Sequence, residues 1–256
     1  MKRLTMIGLG ISNERSIPVE GLDRLKEADI IFAEFFTSIL EEGSIGRLEA
    51  MIDRKISVLG REEVEEEEVV IDAFGRYDEV CFLTAGDPLT ATTHQELRFD
   101  AIGRGIKVDI IHSSSIYNAA AGLAGLHHYK FGRTTTLAYP DGEYLPTSPL
   151  DFILENLDRG LHTLVLLDIQ SHNERYMTAS EGCDILLKME GKRGGGEINE
   201  RTEVVAVLRA GRKDWKVIFG TLGELKDIEM GPPPHCLIVP GNLHFTEEEA
   251  LERFRI

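Results

Sequence analysis

Two short loops of this chain hold residue types that could bind a small molecule. Gly8-Leu9-Gly10 directly follows one apolar run, and Thr84-Ala85-Gly86-Asp87-Pro88 follows another. Glycine lets a ligand approach the backbone closely, and Asp87 would place a carboxylate at the carboxyl end of its strand, where parallel sheets collect ligands. The structural alternatives are a tight turn at the glycines and an aspartate that only accepts hydrogen bonds from neighbouring N–H groups.

A third loop, Ser113-Ser114-Ser115-Ile116, also follows an apolar run. It could direct N–H groups and hydroxyls toward the same ligand, or it could serve as an ordinary serine cap at the start of a helix. All three loops follow equivalent strand ends. Together they support a shared binding site more strongly than any one of them does alone.

Several familiar chemistries lack their motifs. A dinucleotide-binding fingerprint needs a third glycine where Asn13 stands, although Glu34 could imitate its ribose-binding acid. GxSxG, P-loop, HExxH and paired-cysteine motifs are missing, so hydrolase, kinase-type and zinc chemistry are not supported. Adjacent His127 and His128 point in different directions, so no metal site is expected there. His235 follows a glycine and three prolines, which constrains its position tightly.

Strands and helices must position these loops. In the first half they alternate, which indicates a parallel sheet covered on both faces. Strands are predicted at Leu4–Ile7, Ile30–Ala33, Ile56–Leu59, Val80–Leu83 and Val108–Ile111. Helices are predicted at Val19–Ala28, Ile45–Ile52, Glu62–Arg76 and Thr93–Gly103. The six glutamates between Arg61 and Glu68 are expected to form a solvated helix face rather than a cation site.

The second half begins after residues 139–149, where turn residues predict a linker. Further strands are predicted at Thr163–Ile169, Glu203–Arg209, Val217–Phe219 and Cys236–Val239, with helices at Thr178–Glu190 and Glu247–Arg253. The expected fold class is α/β, with two α/β domains in tandem. Residues 1–138 would hold a mainly parallel sheet and residues 150–256 a mixed one.

Composition limits the partners. The chain has 44 acidic against 28 basic side chains and a formal net charge of −16. Such a surface repels phosphate backbones, so no nucleic acid partner is expected, and it suits a cytoplasmic protein. No apolar stretch approaches the roughly 20 residues that cross a bilayer. The three cysteines are far apart and are expected to be reduced core residues.

The segments Ile7-Gly8-Leu9-Gly10 and Ala85-Gly86-Asp87-Pro88 resemble those of the tetrapyrrole methylase superfamily. More specific stretches resemble the diphthine synthase family within it: Ala91-Thr92-Thr93-His94, Tyr129-Lys130-Phe131-Gly132, Gly160-Leu161-His162-Thr163-Leu164 and Tyr176-Met177-Thr178-Ala179. The similarity extends from the first strand to about His244.

The resemblance implies that S-adenosylmethionine binds between the two domains, usually within a homodimer, and leaves as S-adenosylhomocysteine. It implies methylation, to a trimethylammonium, of the amino group on a modified histidine of translation elongation factor 2. The family's cofactor contacts would fall here on Ile11, Asp87, Thr90, Ser115, Ile116, Leu167, Ala210 and His235. Ile11 and Thr90 depart from the leucine and the small aliphatic residue common at these positions, but both are near-isosteric.

Methyl transfer to an amine is an in-line displacement from a sulfonium that is already activated. The protein's task is therefore positioning and desolvation, and no catalytic residue is assigned. Water or a nearby carboxylate could accept the amine proton. The alternatives are a relative acting on a tetrapyrrole, a corrinoid precursor or RNA and, more remotely, a dinucleotide-dependent oxidoreductase or a non-catalytic binding module.

Overall fold

A computed structural model describes residues 1–66, 68–142 and 144–256 of the chain. These residues form two compact units, Met1–Ile116 and Tyr117–Ile256. The predicted linker at 139–149 lies within the second unit, and its residue 143 is outside the described residues. The predicted domain boundaries therefore stay a prediction.

The first unit is built on a sheet of five parallel strands in the order β3-β2-β4-β1-β5. The strands are β1 (Arg3–Gly8), β2 (Ile30–Glu34), β3 (Ser57–Leu59), β4 (Glu79–Thr84) and β5 (Lys107–Ile111). Strand β1 lies between β4 and β5, and its Ile7 pairs with Leu83 on one side and Ile111 on the other. The predicted parallel sheet is confirmed, and the loops after β1, β4 and β5 leave it at the same edge.

Side chains of β1 alternate between two hydrophobic clusters, as a sheet covered on both faces requires. Leu4 and Met6 belong to one cluster, whereas Ile7 belongs to the other. The covering helices are α1 (Val19–Glu27), α2 (Ser44–Ile52), α3 (Arg61–Glu65), α4 (Val69–Asp72) and α5 (Gln95–Gly103). Helix α6 (Ile116–Ala124), which was raised only through the serine-cap interpretation, begins at the end of the serine loop.

The single helix predicted over Glu62–Arg76 is wrong. Two short helices, α3 and α4, replace it, and a 3-10 turn follows at Ala73–Gly75. Glu68 takes a left-handed conformation with φ of 52°, which a continuous α-helix cannot contain. Most glutamates of this tract are exposed, as the solvated-face interpretation requires, and Glu67 lies outside the described residues.

The second unit contains a mixed sheet in the order β11-β10-β12-β7-β6, in which only the β6–β7 pair is parallel. Its strands are β6 (Thr135–Leu137), β7 (Thr163–Leu167), β10 (Glu203–Leu208), β11 (Lys216–Thr221) and β12 (His235–Val239), with a separate hairpin of β8 (Ile169–Gln170) and β9 (Arg175–Tyr176). The predicted strand Thr163–Ile169 is thus two strands, β7 and β8, separated at Asp168. The mixed sheet itself is confirmed.

This unit holds α6 from Tyr117 onward, and its other helices are α7 (Ser148–Asp158), α8 (Ala179–Arg193), α9 (Leu222–Leu225) and α10 (Phe245–Glu252). Thr178 and Glu181 form a reciprocal capping box at the start of α8, and Gly194 ends the helix with φ of 78°. Gly182 lets α8 lie close to the sheet, since a Cβ there would stand 2.9 Å from a methyl of Leu167.

The cysteine prediction is confirmed, because Cys81, Cys183 and Cys236 are all free and buried. Among the helices of the described residues, none is both long and apolar enough to span a bilayer.

Candidate functional site

The loops after β1 and β4 are joined through their backbones. The N–H of Gly10 donates to the carbonyl of Gly86 at 3.1 Å, and the N–H of Gly86 donates back to Gly10 at 2.7 Å. Both glycines have positive φ, 74° and 80°, a conformation that side chains disfavour. The two loops therefore form one structure, and the tight-turn interpretation and the binding-site interpretation apply to the same residues.

Gly8 is required by crowding rather than by its backbone angle. A Cβ at this position would stand 2.5 Å from the carbonyl oxygen of Gly86, 2.8 Å from Cβ of Ser113 and 3.0 Å from Cδ of Pro88. All three predicted loops thus meet at Gly8. The missing side chain of Gly8 therefore lets the three loops pack against one another, rather than letting a ligand approach.

Replacing Gly8 with alanine will therefore destabilise the first unit by about 1–3 kcal/mol, the typical cost of overpacking. The added methyl collides with backbone that cannot rotate away. Thermal unfolding followed by circular dichroism measures the change. The matched control is Gly46→Ala in α2, where nothing lies within 4 Å of the new Cβ. That variant should be as stable as the wild type or slightly more stable, because alanine favours a helix; equal stability of the two variants would contradict the crowding argument.

The carboxylate of Asp87 holds the loops together. Its Oδ1 accepts hydrogen bonds from the N–H of Leu89 and the hydroxyl of Thr90, both at 3.1 Å. Its Oδ2 lies 2.7 Å from Nδ1 of His112 and accepts from the N–H of Ser113 at 3.3 Å. Burial alone would raise the pKa of Asp87, but the hydrogen bonds from Leu89 and His112 lower it. Asp87 is consequently an ionised anchor whose two oxygens are both engaged.

His112 was not among the predicted site residues, although it contacts Asp87 and most of its side chain is exposed. His112 is the first residue after β5, and Asp87 is the third residue after β4. Its position at the carboxyl end of a parallel strand is the signal that could have identified it.

The three predicted residues of the second unit, Leu167, Ala210 and His235, lie at the same end of neighbouring strands. His235 pairs with Leu208, the last residue of β10 and two residues before Ala210, and Leu166 of β7 pairs with Cys236. Leu167, Ala210 and His235 are all buried. An antiparallel arrangement thus brings together positions that are far apart in the sequence.

His235 is held as a neutral hydrogen-bond acceptor. Its Nδ1 accepts from the N–H of Ala179 at 3.2 Å, and its Nε2 lies 3.3 Å from a guanidinium nitrogen of Arg209. Burial and the positive charge of Arg209 lower the pKa of His235 to about 4. A neutral imidazole has one acceptor nitrogen and one N–H. Because Nδ1 accepts from Ala179, the proton is on Nε2, and the approach of Arg209 to Nε2 is a contact rather than a hydrogen bond.

Arg209 is a second residue that sequence reasoning missed. It has a positive φ of 49°, and its guanidinium donates to the carbonyls of Met230 and Pro232 at 2.9 and 3.0 Å. An ion pair of 2.6 Å joins it to Asp214. Arg209 thereby fixes the glycine-proline segment before β12, and with it the position of His235.

The structure thus arranges the predicted residues as two groups, one in each unit. Ile11, Asp87, Thr90 and Ser115 lie in the loops after β1, β4 and β5, and Ile116 begins α6. The second group, Leu167, Ala210 and His235, lies at one end of the strands of the second sheet. Their contact with a cofactor stays a prediction.

Comparison with known proteins identifies the family. The family model for Tetrapyrrole (Corrin/Porphyrin) Methylases matches residues 3–226. The chain is 44% identical to the diphthine synthase of Methanococcus aeolicus, over 97% of this chain and 96% of that protein. It is 47% identical to the diphthine synthase of Methanothermobacter thermautotrophicus, over 97% and 94%. A crystal structure of diphthine synthase superposes with a TM-score of 0.89 at 32% identity, covering 99% of this chain and 96% of the other.

The chain therefore belongs to the tetrapyrrole methylase family. Within that family it is one of the diphthine synthases, and its activity is that of an S-adenosylmethionine-dependent methyltransferase in diphthamide biosynthesis.

Proposed function

We propose that this enzyme transfers methyl groups from S-adenosylmethionine to the amino group of the modified histidine in translation elongation factor 2, until that group is a trimethylammonium. The supporting observation is the junction of three loops around ionised Asp87, in a chain that matches diphthine synthases along almost its whole length. A sheet edge of this kind suits a small-molecule ligand.

The residues of both groups have the chemistry that such a cofactor needs. In the first unit, Gly86 has open space where a Cβ would stand, so a ligand can reach its backbone. In the second unit, Leu167 and Ala210 are apolar residues at the same end of the sheet as His235. The cofactor would contact Ile11, Asp87, Thr90, Ser115, Ile116, Leu167, Ala210 and His235.

The bound cofactor supplies an activated methyl group, and the chain's own residues position it and exclude water. Asp87 is poorly suited to accept the amine proton, because both its oxygens already accept hydrogen bonds and its pKa is low. Its role is to keep the loops after β1, β4 and β5 in the arrangement that the cofactor meets. No side chain of either group is assigned as a general base.

Methyl transfer can be tested directly. The enzyme is mixed with radiolabelled S-adenosylmethionine and elongation factor 2 that carries the unmethylated intermediate, and mass spectrometry counts the methyl groups added. Elongation factor 2 with the unmodified histidine is the control. We expect labelling of the modified protein alone, ending at three methyl groups. Cofactor binding without transfer would favour a tetrapyrrole or another substrate, and failure to bind the cofactor would contradict the proposal altogether.

We further propose that the enzyme works in the cytoplasm as a homodimer and without a nucleic acid partner. The net charge of −16 supports the last of these, since it opposes contact with phosphate backbones. Light scattering after size exclusion tests the dimer, which should have about twice the chain mass of 28.6 kDa.

A further inference from the structure

Two buried titratable side chains meet beneath the loops of the first unit. Glu34 ends β2 and is 0% exposed, and His94 precedes α5 and is 1% exposed. Oε1 of Glu34 lies 3.7 Å from Nε2 of His94, and that nitrogen has no hydrogen-bond partner within the described residues. A buried polar group in this condition is costly, so the pair calls for an explanation beyond packing.

The rest of Glu34 is firmly held. Its Oε2 accepts from the N–H groups of Phe36 and Thr37 at 3.0 and 3.1 Å, and its Oε1 accepts from the hydroxyl of Thr37 at 2.5 Å. Glu34 therefore organises the turn after β2 and presents one oxygen to the histidine ring.

The opposite edge of His94 faces the Asp87 loop. Its Nδ1 lies 3.4 Å from the hydroxyl of Thr84 and 3.4 Å from the carbonyl oxygen of Pro88, the residues on either side of the Gly86-Asp87 turn. Phe82 and Phe36 contact the ring edge-on, at centroid distances of 5.0 and 6.1 Å. The ring is thus fixed between the turn after β2 and the Asp87 loop.

The single proton of the neutral His94 ring can be on Nδ1, facing Pro88, or on Nε2, facing Glu34. Burial lowers the pKa of His94 to about 4 and raises the pKa of Glu34 to about 7, so the ring is neutral and has a single N–H. If that proton is on Nδ1, it can be donated to Pro88, and the bare Nε2 suits a protonated Glu34. If Glu34 is ionised, the proton is drawn to Nε2, and Pro88 loses its donor.

Other charged groups near Glu34 and His94 do not remove the link between the ionisation of Glu34 and the position of the His94 proton. Arg61 and Glu65 of α3 are the charged side chains whose fields reach the two groups, and their charges are opposite. The remaining neighbours, Thr37 and Thr84, do not titrate in the physiological range.

We propose that His94, backed by Glu34, is a positioning residue that holds the Asp87 loop in its cofactor-binding conformation. The residue acts through the carbonyl of Pro88 and the hydroxyl of Thr84 and does not contact the cofactor. This inference rests on the proposed function, because it assumes that the Asp87 loop binds S-adenosylmethionine.

Calorimetric titration with S-adenosylmethionine tests the role of His94. His94→Phe keeps a ring of similar shape but has no donor for Pro88, so the Kd should rise about tenfold, as expected for the loss of a buried hydrogen bond. His94→Asn places an amide nitrogen near the position of Nδ1 and should recover most of that loss. A wild-type Kd in His94→Phe would overturn the inference.

The pH dependence of binding tests the role of Glu34. Since its ionisation withdraws the proton from Nδ1, wild-type affinity should fall as the pH rises through about 7. Glu34→Gln keeps an amide donor facing Nε2 at every pH, so its affinity should not vary between pH 6 and 8.5. The matched control, Glu96→Gln on the exposed side of α5, should retain the wild-type pH profile.

These outcomes separate the inference from the proposed function. If the wild type does not bind S-adenosylmethionine, the proposed function fails. If the wild type binds but its affinity follows the same pH profile as that of Glu34→Gln, the positioning role is wrong. The profile of Glu34→Gln remains decisive should His94→Phe fail to fold.

Discussion

Asp87→Ala will weaken binding of S-adenosylmethionine about 30-fold, equivalent to about 2 kcal/mol, while the sheet of the first unit stays folded. The variant loses the acceptor shared by Leu89, Thr90, His112 and Ser113. The loops after β4 and β5 are then no longer tied to each other, and the cofactor must order them on binding. Isothermal calorimetry measures the affinity.

Asp100→Ala is the matched control, since this aspartate of the same unit is half-exposed and pairs with Arg104 at the surface. Its cofactor affinity should equal that of the wild type. Unchanged affinity in Asp87→Ala would show that the carboxylate performs local capping alone, which is the structural alternative that its sequence context leaves open.

Glu247→Gln will destabilise the second unit by about 3 kcal/mol, as breaking a buried ion pair does. Glu247 is 0% exposed, at the start of α10. Its Oε1 accepts from the N–H of His127 at 2.8 Å and from Nε2 of His162 at 3.1 Å. Its Oε2 accepts from the ammonium of Lys130 and from the N–H of His244. A glutamine has one acceptor oxygen for these four donors, and it leaves the ammonium without its counter-charge.

Urea unfolding followed by the fluorescence of Trp215 measures this loss, because the chain's single tryptophan lies in the second unit. The control is Glu248→Gln, the exposed neighbour on the same helix, which should change stability by less than about 0.5 kcal/mol. Equal stability of the two variants would refute the assignment of Glu247 as the centre of the cluster.

The contribution of Glu247 should also depend on pH in a defined direction. Burial would raise its pKa, but the hydrogen bonds from His244 and Lys130 outweigh burial and lower it from 4.5 to about 2. A carboxyl whose pKa is lowered by folding stabilises the protein above its unfolded pKa and loses that effect as the pH falls through its folded pKa. The difference between wild type and Glu247→Gln should therefore shrink between pH 4.5 and 2.

Sequence patterns predicted the parts of the fold that depend on residues close together in the chain. All five strands of the first sheet were placed within two residues of their observed ends. Continuous apolar runs mark β1, β2 and β4, which are buried on both faces. The acidic tract shows the limit of such patterns. Its composition favours a helix, but the left-handed backbone at Glu68 depends on how the chain packs after α3. Helix α7 was not predicted at all, and α6 was raised only through the serine-cap interpretation of the loop before it.

The sequence by itself determined the class of fold, the three loops at strand ends and, through resemblance, the family. Glycine spacing and apolar runs extend over only a few residues, so the features that depend on them can be predicted from the sequence. Tertiary structure alone decided which side chains meet. Asp87 reaches His112 across 25 positions, and Glu247 reaches His127 across 120. Strand order sets such contacts, and so does burial, which makes unpaired polar groups costly; neither is contained in any one segment.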